Sequence, residues 1–162
     1  MDEAFTTRLH ALLAANPRIC DEGCALAVWN PPGVYPRLVP KTVSYQPTPE
    51  EITRLYQLTL FIQEHLPDPP TGSGGWLRVG SYGAKHCFEK MPWKDGTNTY
   101  VSNTEGMVAM MLCGYVPKWS KDPQDPNCVF SVRAKAWRTM ATEAYRRFNE
   151  RHLRPQTQPS PC

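Results

Sequence analysis

The sequence predicts a mainly α fold: one compact helical domain of about five helices, dressed by a proline-rich extended arm and a small β-sheet. Three observations carry this. Apolar residues recur at helical spacing in several segments. Two of these segments open with a capping box. The 17 prolines among 162 residues, about twice ordinary usage, fall mainly between the periodic segments or at their ends. Proline fixes φ and removes a backbone donor, so this pattern excludes long uninterrupted helices and a doubly wound α/β sheet.

The first helix spans about Asp2 to Ala15, with Phe5, Leu9, Leu12 and Leu13 on one face, and Asn16-Pro17 ends it. Residues 17–48 carry Pro17, Pro31, Pro32, Pro36, Pro40 and Pro47, too closely spaced for a helix. Ala25–Trp29 reads as a short strand. The apolar residues that follow make this an extended arm laid on the core, in polyproline II and edge-strand geometry. Thr48-Pro49-Glu50-Glu51 then combines an N-cap, proline at the first helical position and a Glu that closes a capping box. Ile52, Leu55, Tyr56, Thr59, Ile62 and Leu66 continue that helix to Pro67. Residues 67–75, rich in proline and glycine, read as a flexible connector.

Trp76–Val79 is a strand candidate, followed by a short helix from Ser81 to Met91 that Pro92 halts. After a loop of about ten residues, Ser102 and Glu105 form a second capping box. The helix they open carries Met107, Val108, Met110, Met111 and Leu112 and closes at Gly114, where a C-cap glycine belongs. Being apolar on most sides, it is expected to be the central buried helix. Cys128–Val132 is a strand candidate that could share a sheet with 25–29 and 76–79. The last helix, Arg133 to Leu153, clusters Trp137, Ala141, Ala144 and Phe148 within about 60° of arc at roughly 100° per residue. The expected organisation is one domain over 1–154 and a disordered tail over 155–162.

Charge is polarised along the chain. Residues 1–70 hold 5 basic and 8 acidic side chains, 71–132 hold 6 and 5, and 133–162 hold 7 and 2. No apolar run approaches the 18 residues or so of a membrane span, and no membrane partner is expected. Met1-Asp2-Glu3 lacks the positive charge and apolar stretch of a secretory signal. The expected setting is therefore intracellular, cytoplasmic or nuclear, or a virion component, and the six cysteines are read as thiols first.

Chemical motifs are sparse. Cys20-x3-Cys24 could serve zinc only with scattered partners such as His86 and Cys87, and buried thiols are the better default. Gly72-Ser73-Gly74-Gly75 lacks the Gly-Lys-Ser/Thr of a phosphate loop, and no His-x-x-x-His pair exists. A cysteine nucleophile from Cys87 or Cys113 has no activating context. No catalytic residue and no cofactor is assigned, and the expectation is a protein that is not an enzyme.

Three binding candidates remain. Lys85 and His86, with the helix start at Ser102-Asn103, could receive an anion, because free amides at a helix N-terminus favour negative charge. The structural alternative makes Ser102 and Asn103 caps and His86 a satisfied polar group. Arg133, Lys135, Arg138, Arg146, Arg147, Arg151 and Arg154 surround the last helix and suit nucleic acid. Against this, Glu143 and Glu150 lie four residues before Arg147 and Arg154, placed for intrahelical pairing. Trp29, Tyr35 and Tyr45 of the arm are candidate anchors for a protein partner or for self-assembly.

The pattern Ser81-Tyr82-Gly83-x-Lys85-His86-x-x-Glu89, then Tyr100-Val101-Ser102-Asn103 and Gly114-Tyr115, resembles small uncharacterised proteins of viruses and other mobile elements. The resemblance covers residues 81–115 and implies no activity. It bears on the source alone. The leading expectation is a non-catalytic binding or assembly protein, such as a viral or mobile-element accessory or structural component, docking through its proline-rich arm and apolar surface, because caps and core stripes are well specified while catalytic constellations are absent. The alternatives are a nucleic-acid-binding protein using the terminal helix and a cysteine- or zinc-dependent enzyme.

Overall fold

The computed structural model describes residues 2–21, 23, 27–29, 38–40, 44–66, 69, 75–90, 100–122 and 125–153. Of 27–29, 38–40 and 151–153 it describes the backbone. Among these residues are five helices and two small antiparallel sheets: α1 (Glu3–Ala15), β1 (Ala27–Trp29), β2 (Leu38–Pro40), α2 (Pro49–His65), β3 (Trp76–Gly80), α3 (Ser81–Lys90), α4 (Asn103–Leu112), β4 (Lys118–Trp119), β5 (Cys128–Arg133) and α5 (Ala134–Leu153). The chain is mainly α with a small sheet, as the periodicity and caps predict.

The helix boundaries follow local chemistry. The Asp2 carboxylate accepts the Ala4 amide to cap α1. In α2, the Glu51 amide donates to the Thr48 hydroxyl at 3.3 Å and the Thr48 amide to the Glu51 carboxylate at 2.7 Å, with Pro49 in the first turn. In α4, the same reciprocal pair joins Ser102 and Glu105. At the end of α4, Gly114 adopts φ +87°. Its amide reaches the Met111 carbonyl and that of Tyr115 the Met110 carbonyl, a Schellman closure that needs a residue without a Cβ penalty.

α4 is the axis of the molecule. Thr104 to Met110 and Leu112 are all buried, and α1, α2 and α3 pack around it. Gly106 brings the α4 backbone close to α3: a Cβ there would lie 3.4 Å from the Lys85 Cβ. Around this axis Leu9, Leu55, Leu58, Ile62, Phe88, Phe130, Val132, Met140 and Ala144 close the core. Each large side chain so buried is worth roughly 1.5–3 kcal/mol before entropy.

The sheets differ from the sequence expectation. The 76–80 and 128–133 strands pair antiparallel, with Trp76 opposite Arg133 and Gly80 opposite Val129. The third strand is Lys118–Trp119, paired to the other side of β5, giving the order β3-β5-β4. Residues 27–29 instead form a separate two-stranded ribbon with 38–40. Two segments close in sequence pair with a smaller loop-closure entropy than 27–29 would need to reach 76–79. β3 runs directly into α3 and β5 into α5, so the sheet fixes where both helices begin.

The ends of the arm are stitched to the core. The Tyr45 amide donates to the Ile19 carbonyl at 2.9 Å, and the Thr104 hydroxyl donates to the Cys20 carbonyl at 2.6 Å. Gly23, at φ +123°, sits where a Cβ would come within 2.1 Å of the Pro126 carbonyl oxygen. Most of the connector, the tail and Pro92 lie outside the described residues.

Candidate functional site

Lys85, His86 and Glu89 project from α3 toward the strand-like segment that enters α4. Lys85 is 6% exposed, and its ammonium donates to Glu89 Oε1 at 2.9 Å and to the Val101 carbonyl at 3.2 Å. The Val101 amide donates back to Glu89 Oε1 at 3.3 Å. One lysine and one glutamate, a helical turn apart, thus satisfy the N–H and the C=O of Val101, a buried residue outside any sheet, as burial demands. His86 Nδ1 lies 2.8 Å from Glu89 Oε2. Burial opposes the charge on Glu89, but hydrogen bonds from Lys85 and His86 outweigh it and hold the carboxyl below its ordinary value. Because Glu89 is ionised, Nδ1 of His86 carries the proton.

Two tyrosines flank the buried ammonium. Its nitrogen lies 4.8 Å from the Tyr100 ring centre and 5.6 Å from that of Tyr82. Tyr82 is 57% exposed and Tyr100 71%, and the Tyr82 ring meets His86 edge-on at 4.5 Å. The lysine head, anchored by Glu89 and Val101, gives both rings a fixed cation to lie against.

The α4 N-terminus beyond Val101 already holds its own anion. Glu105, buried, accepts the Ser102 amide through one oxygen and the Arg54 guanidinium through the other at 2.8 Å. Asn103 directs its amide group to the Pro126 carbonyl and to Asn127. Of the residues the sequence pattern groups, Lys85 and His86 take Glu89, Lys85 also reaches the Val101 carbonyl beside the helix start, and Ser102 takes Glu105, so these groups meet the chain's own carboxylates and backbone.

The terminal helix divides its cations. Arg146 binds Glu143 and Glu150, and Arg147 binds Glu143. These hydrogen bonds, Arg146 first, lower the Glu143 carboxyl to about 2. Lys135 and Arg138 are exposed and make no ion pair among the described residues. Arg133 belongs to β5, one residue before the helix, and its guanidinium stacks over the Trp76 ring at 4.2 Å. The side chain of Arg151, and all of Arg154, lie outside the described residues.

Of the arm residues, Tyr45 is 3% exposed and belongs to the core, so its ring faces inward in the isolated chain. Tyr35 and the Trp29 side chain lie outside the described residues. Among the described cysteines, Cys20, Cys87 and Cys128 are buried. Burial pushes the Cys87 thiol up to about 11 and the Cys113 thiol up to about 12, so neither is a thiolate at neutral pH. No three His, Cys, Asp or Glu side chains gather in a metal-holding arrangement among the described residues. Cys24 lies outside them.

A surface the sequence reading passed over is the outer face of β3-β5-β4. Leu77, Val79, Phe130 and Val132 face the core. Trp76, Arg78, Ser131, Arg133 and Lys118 share the other face. The signal was present in the Trp-x-Arg alternation of 76–78. The pairing that adds Arg133 and Lys118 comes from segments far apart in sequence.

No family model, curated protein or solved structure matches the chain.

Proposed function

We propose that the chain is a non-catalytic binding protein whose recognition surface is built around Tyr82 and Tyr100. The observation that carries this is the pair of exposed rings held over one buried ammonium. The Lys85 head biases their orientation before any partner arrives, and exposed aromatic side chains are the usual energetic anchors of protein interfaces. The groups that could do chemistry nearby are engaged with one another: Lys85 and His86 bind Glu89, and the Cys87 thiol is buried. A partner protein or a second copy of the chain is the expected ligand, which keeps an accessory or structural role in view.

A photoreactive benzoylphenylalanine placed at 82 or at 100 should form an adduct with a single partner, or with a second copy of the chain. The same group at Tyr145, which is 52% exposed beside Lys90, should not. Equal labelling at all three positions overturns the assignment.

A second reading, nucleic-acid binding through the basic C-terminal part, is favoured by Lys135 and Arg138, exposed and without an ion pair among the described residues. Arg146 and Arg147 contribute less to it, since Glu143 and Glu150 neutralise them.

A further inference from the structure

We propose that the outer face of the β3-β5-β4 sheet is a platform for single-stranded nucleic acid. This rests on the second reading above and gives it a site different from the terminal helix.

The register sorts the face into three rows. Trp76 lies opposite Arg133, Arg78 opposite Ser131, and Gly80 opposite Val129, which in turn faces Lys118. Successive rows are two residues apart, about 6.7 Å at roughly 3.3–3.4 Å per residue. Each row holds one cation: Arg133, Arg78 and Lys118. All three are exposed, and no residue of the three strands is acidic. Arg78 and Lys118 pair with no carboxylate among the described residues. This contrasts with α5, where carboxylates are interleaved with the arginines.

A row of cations alone would suit any polyanion. Trp76 and the guanidinium over it add flat, polarisable surface at one end of the row, the element on which unpaired bases stack. Tryptophan also serves at lipid surfaces and against aromatic side chains, but one cation in each row beside a stacking group matches a polymer that carries a phosphate and a base at every step. Duplex DNA fits poorly for a steric reason. Its major groove admits a helix or a two-stranded ribbon, whereas this sheet is three strands broad at Lys118 and backed by the core through Phe130 and Val132. A single strand can instead lie along the face, phosphates on the cations and a base on the exposed guanidinium that stacks over Trp76.

The test is fluorescence anisotropy on the full chain with a labelled oligothymidine of about 12 nucleotides, within the site sizes of such platforms, titrated from about 50 mM salt upward. An oligothymidine–oligoadenosine duplex, polyglutamate and phosphatidylserine vesicles serve as competitors. Binding to the single strand in preference to all three competitors supports the proposal. Replacing Arg78, Lys118 and Arg133 together with Ala should flatten the slope of log affinity against log salt by about 2, at roughly 0.7 per phosphate contact. Lys at 78 and 133 should restore most of that slope, which a merely misfolded variant could not do. Trp76→Leu should weaken binding about tenfold with the slope unchanged. Tighter duplex binding overturns the single-strand platform while leaving the second reading standing. Equal competition by polyglutamate or vesicles assigns the face to an acidic protein or a lipid surface and overturns the proposal. Absence of binding to either nucleic acid at low salt overturns both.

Discussion

Around Val101 and Ser102 the carboxylates of Glu89 and Glu105 are drawn into the protein, and both oxygens of each meet a donor. On α5 the carboxylates of Glu143 and Glu150 stand in solvent, pairing with arginines on their own helix. The residue types are the same and the consequences differ. In the first region the ionic groups reach beyond their own helix: Arg54 of α2 meets Glu105 of α4, and Lys85 and Glu89, paired within α3, both meet the Val101 backbone ahead of α4. Those contacts fix how three helices sit together. In the second, every partner lies within four residues on one helix, and water competes for each contact. Ion pairs act as architecture here where they join elements and exclude water, and as a solvated coat where they do neither.

The largest expected effect belongs to Glu105. Glu105→Ala removes the Arg54 partner and half of the α4 capping box, and should lower stability by about 3 kcal/mol. At roughly 2–4 °C per kcal/mol for a chain of this size, thermal unfolding should show a midpoint lower by about 6–12 °C. Glu105→Gln, which can still accept the Ser102 amide, should lose less. A loss no greater than that of Glu143→Ala would break the contrast between the two regions.

Glu89 comes next and carries a pH signature. Its carboxyl is held below the ordinary value in the folded chain, so on acidification the unfolded state takes up the proton first. The stabilisation is therefore present above the ordinary glutamate range and is lost as pH falls through the folded value. Glu89→Gln should cost about 2 kcal/mol near neutrality, since hydrogen bonds to a charged group are among the stronger ones. In urea unfolding from about pH 7 down to about pH 3, the gap between wild type and variant should close. A gap that stays constant would mean that Glu89 matters through packing rather than charge.

The smallest effect is expected on α5. Glu143→Ala and Arg146→Ala should leave the unfolding midpoint unmoved within error, at low and at high salt, because both side chains already meet water. A clear loss in low salt alone would show that the helix depends on its charge ladder and would narrow the difference between the regions.

Much of the local structure was legible in the residues. Thr48-Pro49-Glu50-Glu51 and Ser102 with Glu105 mark helix starts because a cap and its reciprocal glutamate lie within one turn. Gly114 marks a helix end for an equally local reason. The buried character of α4 follows from its apolar circumference. The grouping of Lys85, His86, Glu89 and Val101 was visible only as a pattern of unusual residues. That they satisfy one another depends on α3 and the entry to α4 lying side by side. The fate of Tyr45 and the basic sheet face were not legible, since both depend on contacts between segments far apart in the chain.

By itself, then, the sequence determined the mainly α class, the positions and caps of the helices, and the polarity of charge along the chain, because each is set by interactions within a few residues. Tertiary structure decided which cations are neutralised at home and which face outward together. It set Arg78, Lys118 and Arg133 on one face of three strands that carry no acid, and it turned Lys85 and Glu89 inward to hold Val101. The reason is that strand register and helix packing select among distant pairings; most of the free energy that selects them comes from burying Phe130, Val132 and their neighbours, to which the inter-element contacts of Arg54 and Lys85 add.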